Sequence, residues 1–162
     1  AMGKRGELIR AGTDWDVIEE NRRRMIEECP DVYFEITPTV SIMNVYHLPD
    51  FHKEWIDKGL LEPQNVRMNI LTYPTEYRIQ IIPPNERKKF IDKYEEHIKW
   101  IDDNFGDGAA KRGFESILDF LQQENYENLI PDFIDRNTPL DKLRGESLYQ
   151  VAPELKFLEE KK

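Results

Sequence analysis

Between Asp31 and Val40 apolar side chains fall on alternate positions, Val32, Phe34, Ile36, Pro38 and Val40, the period-two signature of a strand with one buried face. The spacing predicts a strand over 31–40, with Ser41-Ile42-Met43-Asn44 as a polar-tipped turn beyond it. Leu48-Pro49-Asp50 then opens a helix with proline at its first position; Leu48, Phe51, Trp55 and Ile56 form its apolar stripe, and Gly59 stops it. Val66, Met68 and Ile70 predict a second strand ending at Leu71. A connection that carries a helix is what a parallel pair requires, so the unit reads as βαβ. Ligands of parallel α/β sheets lie beyond the carboxyl ends of the strands, which places Ser41, Asn44, Leu71, Thr72 and Tyr73 where chemistry is expected.

The flanking sequence reads as helical. Thr13 and Asp16 resemble a capping box ahead of a helix from Asp14 to Glu28, with Trp15, Ile18, Met25 and Cys29 at helical spacing. Tyr77 to Ile82 is β-rich and closes at Pro83-Pro84; an extended cover segment is favoured there over an edge strand. Asn85 caps a long helix with the stripe Phe90, Ile91, Tyr94, His97, Ile98 and Ile101, ending near Gly106-Asp107-Gly108. A further helix is predicted over Ala109 to Gln123, and the tail from Tyr126 reads as short helical pieces broken by Pro131, Pro139, Gly145 and Pro153.

Composition narrows the function classes. A chain of 162 residues suggests one domain, and 34% charged residues with a net charge of -9 imply a strongly charged, cytoplasmic type of surface. The acidic balance repels phosphate backbones, which argues against nucleic acid as a partner; Arg22-Arg23-Arg24 sits among acidic neighbours. No apolar run approaches the ~20 residues of a membrane span, and no apolar segment follows Lys4-Arg5 to make a signal peptide. The single Cys29 cannot by itself hold a zinc or iron–sulfur site. Ala1-Met2 reads as an appended remnant.

Several motifs fail on inspection. His47 and His52 are five apart, on different faces of a helix, so they do not chelate with Asp50 as a four-apart pair would. Asp102 to Gly108 has the wrong residues for a calcium loop and lacks its closing glutamate. Asp141 and Arg144, three apart, are expected to pair on a helix face. Asn44 is the sharper case: its amide can donate and accept at once, which suits a ligand with hydroxyls and an amine, and a turn or cap role is an equal reading.

Taken together, GKRGELIRAGTDWDVIEEN, PTVSIMNVYHLPDFHKEW, NILTYP and the late FIDRNTPLDKLRGES with APEL resemble the C-terminal half of a radical S-adenosylmethionine enzyme of the subgroup with a twitch- or SPASM-type auxiliary cluster segment. The resemblance implies an α/β fold, the fragment of a partial (βα) barrel over 3–105 with a short parallel sheet, followed by a helical C-terminal extension over 106–162. It would make 31–40 the barrel's fifth strand and 66–71 its sixth. It implies S-adenosylmethionine and a four-iron cluster as cofactors of the full protein. Asn44 would lie at the S-adenosylmethionine pocket with Ser41, Arg10 near the cofactor's polar end, and Asn69, Ile70 and Leu71 beside the adenine.

The three-cysteine motif that holds the cluster is absent, as are the Gly-Gly-Glu segment and the auxiliary cysteines. The chain is therefore expected to be inactive alone, to need a missing N-terminal half as partner, and to self-associate through an exposed sheet edge. Two readings from other classes stand beside this one: an acidic α/β interaction module without catalysis, and a metal-dependent hydrolase, which the missing ligand clusters disfavour.

Overall fold

The computed structural model describes residues 2–161, so the reading of Ala1 lies outside the described residues. Helices dominate it: α1 (Gly3–Ile9), α2 (Trp15–Glu28), α3 (Leu48–Asp57), α4 (Pro84–Phe105), α5 (Ala109–Gln122), α6 (Ile130–Arg144) and α7 (Leu148–Val151). Strands amount to β1 (Thr39–Val40) and β2 (Asn69–Ile70), paired in parallel with Thr39 opposite Asn69 and Val40 opposite Ile70, and a lone bridge joins Ile36 to Val66. Helical structure covers 66% of the chain and strand 4%, so the expected α/β partial barrel is wrong and the fold is mostly helical.

The strand reading of 31–40 shrinks for physical reasons. Pro38 has no N–H to give to the neighbouring strand, so the ladder between Ile36 and Val40 misses a bond. Val32 is 58% exposed, and only Val40 of the alternating set is fully buried, because no second layer covers the first half of the segment. Tyr77 to Ile82 is not extended either: it forms two 3₁₀ turns, Thr75–Tyr77 and Ile79–Ile81, that bury Ile79 and Ile81.

The core lies between α4, α5 and the crossing chain. Phe90, Tyr94 and Ile101 of α4 meet Phe114, Ile117 and Leu121 of α5, and each of these six is fully buried. Gly106, at φ 73°, adopts the left-handed backbone that ends α4 and lets α5 turn back on it. Arg87 ties the hairpin to its surroundings, donating to the carbonyls of Ile82, Gln80, Gln123 and Glu124 at 2.8, 2.9, 2.7 and 3.1 Å. The Tyr94 hydroxyl donates to the Val45 carbonyl at 2.7 Å and anchors the turn after β1.

The tail is less broken than its prolines suggest. Pro131 sits in the first turn of α6, where a missing N–H costs nothing, and the helix runs on through Pro139 to Gly145. Asp141 does not pair with Arg144: its carboxylate accepts from the Leu148 amide, while Arg144 donates to the Leu8 carbonyl. Together with a buried Arg5–Glu154 ion pair, that contact holds α1 against the end of the chain.

Helix α2 is the exception to this packing. Asp14, not Thr13, caps it, accepting from the Asp16 and Val17 amides. None of its residues is buried. It leans on the body through Trp15 beside Phe51 and Trp55, and through Arg22, which lies 3.7 Å over the Phe34 ring and donates to the Leu60 carbonyl.

Candidate functional site

A groove of about 460 Å³ runs between α1, the start of α2 and the outer side of β1. Gly6, Ile9 and Arg10 form one wall, Thr13, Trp15 and Ile18 a second, and Thr37, Pro38, Thr39 and Asn44 the floor. Arg10 ends α1 with its side chain exposed, while its carbonyl accepts the Thr13 hydroxyl at 2.7 Å. The groove therefore offers a guanidinium, an indole face and apolar Ile9 and Ile18 around a strip of strand backbone. That set suits a ligand with a carboxylate at one end and a flat or apolar part at the other.

Asn44 is 7% exposed and already committed to the backbone. Its side-chain oxygen accepts from the Ser41 amide and its nitrogen donates to the Thr39 carbonyl, both at 2.9 Å. The asparagine thus bonds to β1 as a neighbouring strand would, and keeps one N–H and one lone pair for anything in the groove. The turn that presents it is fixed by local bonds, Val45 N–H to the Ser41 carbonyl at 2.9 Å and Met43 N–H to the Ser41 hydroxyl at 3.3 Å.

Of the residues singled out from the sequence, Arg10 and Asn44 come together in this groove. Ser41 is buried in the turn beneath it, and Asn69, Ile70 and Leu71 lie on the adjoining strand, with the Leu71 amide bonded to the Val40 carbonyl; none of these lines the groove. Thr72 and Tyr73 are exposed, the Thr72 carbonyl accepting from Arg78. Trp15 and Thr37 were missed as groove residues: Trp15 reads as helix stripe and Thr37 carries no signal until the start of α2 is placed beside β1.

No family model, curated protein or solved structure matches the chain. The functional reading therefore rests on the groove and on the sequence resemblance.

One further polar cluster escaped the sequence reading. His52 of α3 and His97 of α4, both 1% exposed, meet with Nδ1 of His52 3.1 Å from Nε2 of His97, and Nε2 of His52 lies 2.9 Å from the Pro63 carbonyl. The carbonyl can only accept, so Nε2 of His52 carries a proton and its Nδ1 accepts from His97. Nδ1 of His97 is then an unprotonated, buried nitrogen, and it has no partner. Trp100 stacks on His97 at 5.3 Å and Phe114 packs edge-on at 4.4 Å. Burial pushes His52 down to about 4 and His97 to about 3, with His52, Lys53 and Lys93 adding to the effect on His97. Burial likewise lowers His47 to about 4, with Arg5 next, while Asp50 stands 3.7 Å from its Nδ1. Among the described residues no group of three or more His, Cys, Asp or Glu could hold a metal ion. No described helix is long and apolar enough to cross a membrane.

Proposed function

We propose that this chain is the C-terminal portion of a radical S-adenosylmethionine enzyme and that the groove between α1 and β1 forms one wall of its cofactor pocket. The observation that carries the reading is the convergence of Arg10 and Asn44, distant in sequence, on a single groove. In this account Arg10 pairs with the carboxylate of S-adenosylmethionine, the free N–H of Asn44 faces its polar groups, and Trp15 and Ile18 exclude water from one side. The four-iron cluster does not fit this chain, whose one cysteine is exposed Cys29, so a cysteine-bearing partner must supply it. A reduced cluster of that kind would pass one electron to bound S-adenosylmethionine, breaking a carbon–sulfur bond to release methionine and supply the carbon radical that takes hydrogen from substrate.

Calorimetric titration of the chain with S-adenosylmethionine tests the reading. Without the cluster the expected Kd is weak, about 0.1–1 mM, and Arg10→Ala should weaken it about tenfold through loss of one charge-assisted contact. Binding that is unchanged in Arg10→Ala, or absent at millimolar ligand, contradicts it. A second reading, an acidic and mostly helical interaction module without catalysis, draws support from α2, which carries no buried residue.

A further inference from the structure

A second hollow, about 480 Å³ in volume, opens beside the last turns of α2 and shares no lining residue with the groove. Its size falls in the range of small-molecule sites, roughly 300–1,000 Å³. Arg22 forms one wall: its guanidinium lies 3.7 Å over the Phe34 ring and its Nε donates to the Leu60 carbonyl at 2.8 Å. Asn65 fixes the other, its side chain donating to the Phe34 carbonyl and its amide to the Glu62 carbonyl, both at 2.9 Å. Both walls are therefore set before any ligand arrives.

Three charged residues line this hollow without pairing with one another. The Nη atoms of Arg22 and the carboxylates of Asp31 and Glu62 have no ion-pair or hydrogen-bond partner among the described residues. Burial lowers the Arg22 pKa, and no carboxylate stands close enough to offset that effect. Guanidinium and carboxylates thus border one space while too far apart to neutralise each other. Ile26 and Val32, 38% and 58% exposed, and buried Leu61 supply its apolar lining. The two acids repel a plain carboxylate and the guanidinium repels a plain amine, so the set favours a ligand that carries both charges beside an apolar group. A peptide holds its two terminal charges on different residues. We propose that this hollow binds a free apolar α-amino acid, with the carboxylate on the Arg22 guanidinium, the ammonium toward Asp31 and Glu62, and the side chain against Ile26, Val32 and Leu61.

Titration of the isotope-labelled full chain with L-phenylalanine, read from amide shifts, tests the proposal. The expected Kd is about 1 mM for so open a hollow, with saturable shifts at the Arg22, Ile26, Cys29, Val32 and Leu61 amides. Phenylalanine amide lacks the carboxylate and N-acetylphenylalanine lacks the amine; each should bind about fivefold more weakly or worse. Asp31→Asn combined with Glu62→Gln changes two exposed side chains that bond to nothing in the chain, so the thermal midpoint should stay within about 2 °C. The same double variant should weaken L-phenylalanine about fivefold while leaving N-acetylphenylalanine no weaker. Absence of saturable shifts at about 20 mM L-phenylalanine, either analogue binding as tightly as the amino acid, or undiminished binding by the double variant each overturns the proposal. Binding of S-adenosylmethionine is measured separately through Arg10 in the groove, so either reading can fail without the other.

Discussion

The His52–His97 pair ties stability to pH in a direction and by an amount that the structure specifies. Both rings are neutral in the folded chain, at about 4 and about 3, against 6.5 for the free side chain. Protonating His97 would put an N–H on its partnerless Nδ1, and protonating His52 would force His97 to move its own proton to that same nitrogen. The unfolded chain takes up these protons below pH 6.5 while the folded chain does not. Stability is therefore complete above pH 6.5 and falls with pH down to the folded values. Each ring removes up to about 1.4 kcal/mol per pH unit, or about 2 kcal/mol each between pH 6.5 and 5. His97→Phe keeps an aromatic ring between Trp100 and Phe114 and removes one of the two protons from the balance. It costs stability at pH 7.5, because the Nδ1 lone pair of His52 loses its donor, but its loss between pH 6.5 and 5 should be smaller than that of the unmodified chain by about 2 kcal/mol. Urea unfolding at half-unit pH steps, with carboxylate contributions common to both proteins, isolates the difference. A pH dependence of His97→Phe that superimposes on the unmodified chain refutes the argument.

Two other substitutions test the frame that holds the groove. Arg87→Lys cannot reproduce four carbonyl contacts from one guanidinium and should lose about 2–4 kcal/mol in denaturant unfolding; a loss under 0.5 kcal/mol would show that the clamp is incidental. Tyr94→Phe leaves the Val45 carbonyl unpaired beside a fully buried ring and should cost about 1–2 kcal/mol, with no effect on the pH dependence.

The legible part of this chain was its helices. The stripes of α3, α4 and α5 are strongly periodic, and α3 and α4 close on the positive-φ glycines Gly59 and Gly106, so their positions follow from 3.6-residue spacing and local termination signals. The misreadings share one cause. Alternation over 31–40 and the β-rich 77–82 describe what a chain could do beside other strands, and here the neighbours are helices. Pro38 removed a ladder bond, and burial of Ile79 and Ile81 was achieved by 3₁₀ turns. In the groove, Asn44 was placed by its position beyond the carboxyl end of a strand and Arg10 by resemblance, whereas Trp15 and Thr37 were invisible because their roles depend on α1, the start of α2 and β1 meeting around one groove. The pairing of His52 with His97 had no sequence signal beyond two histidines on apolar helix faces.

The central claim is that the Arg10–Asn44 groove holds S-adenosylmethionine, and nuclear magnetic resonance titration of the labelled chain tests it most directly. The account predicts saturable shifts concentrated at the Gly6, Arg10, Thr13 and Thr37 amides, at the Trp15 indole and at the Asn44 side-chain amide, with about tenfold more ligand needed to reach them in Arg10→Ala. Shifts scattered over the surface, or confined to the hollow by Arg22 and Cys29, would contradict it.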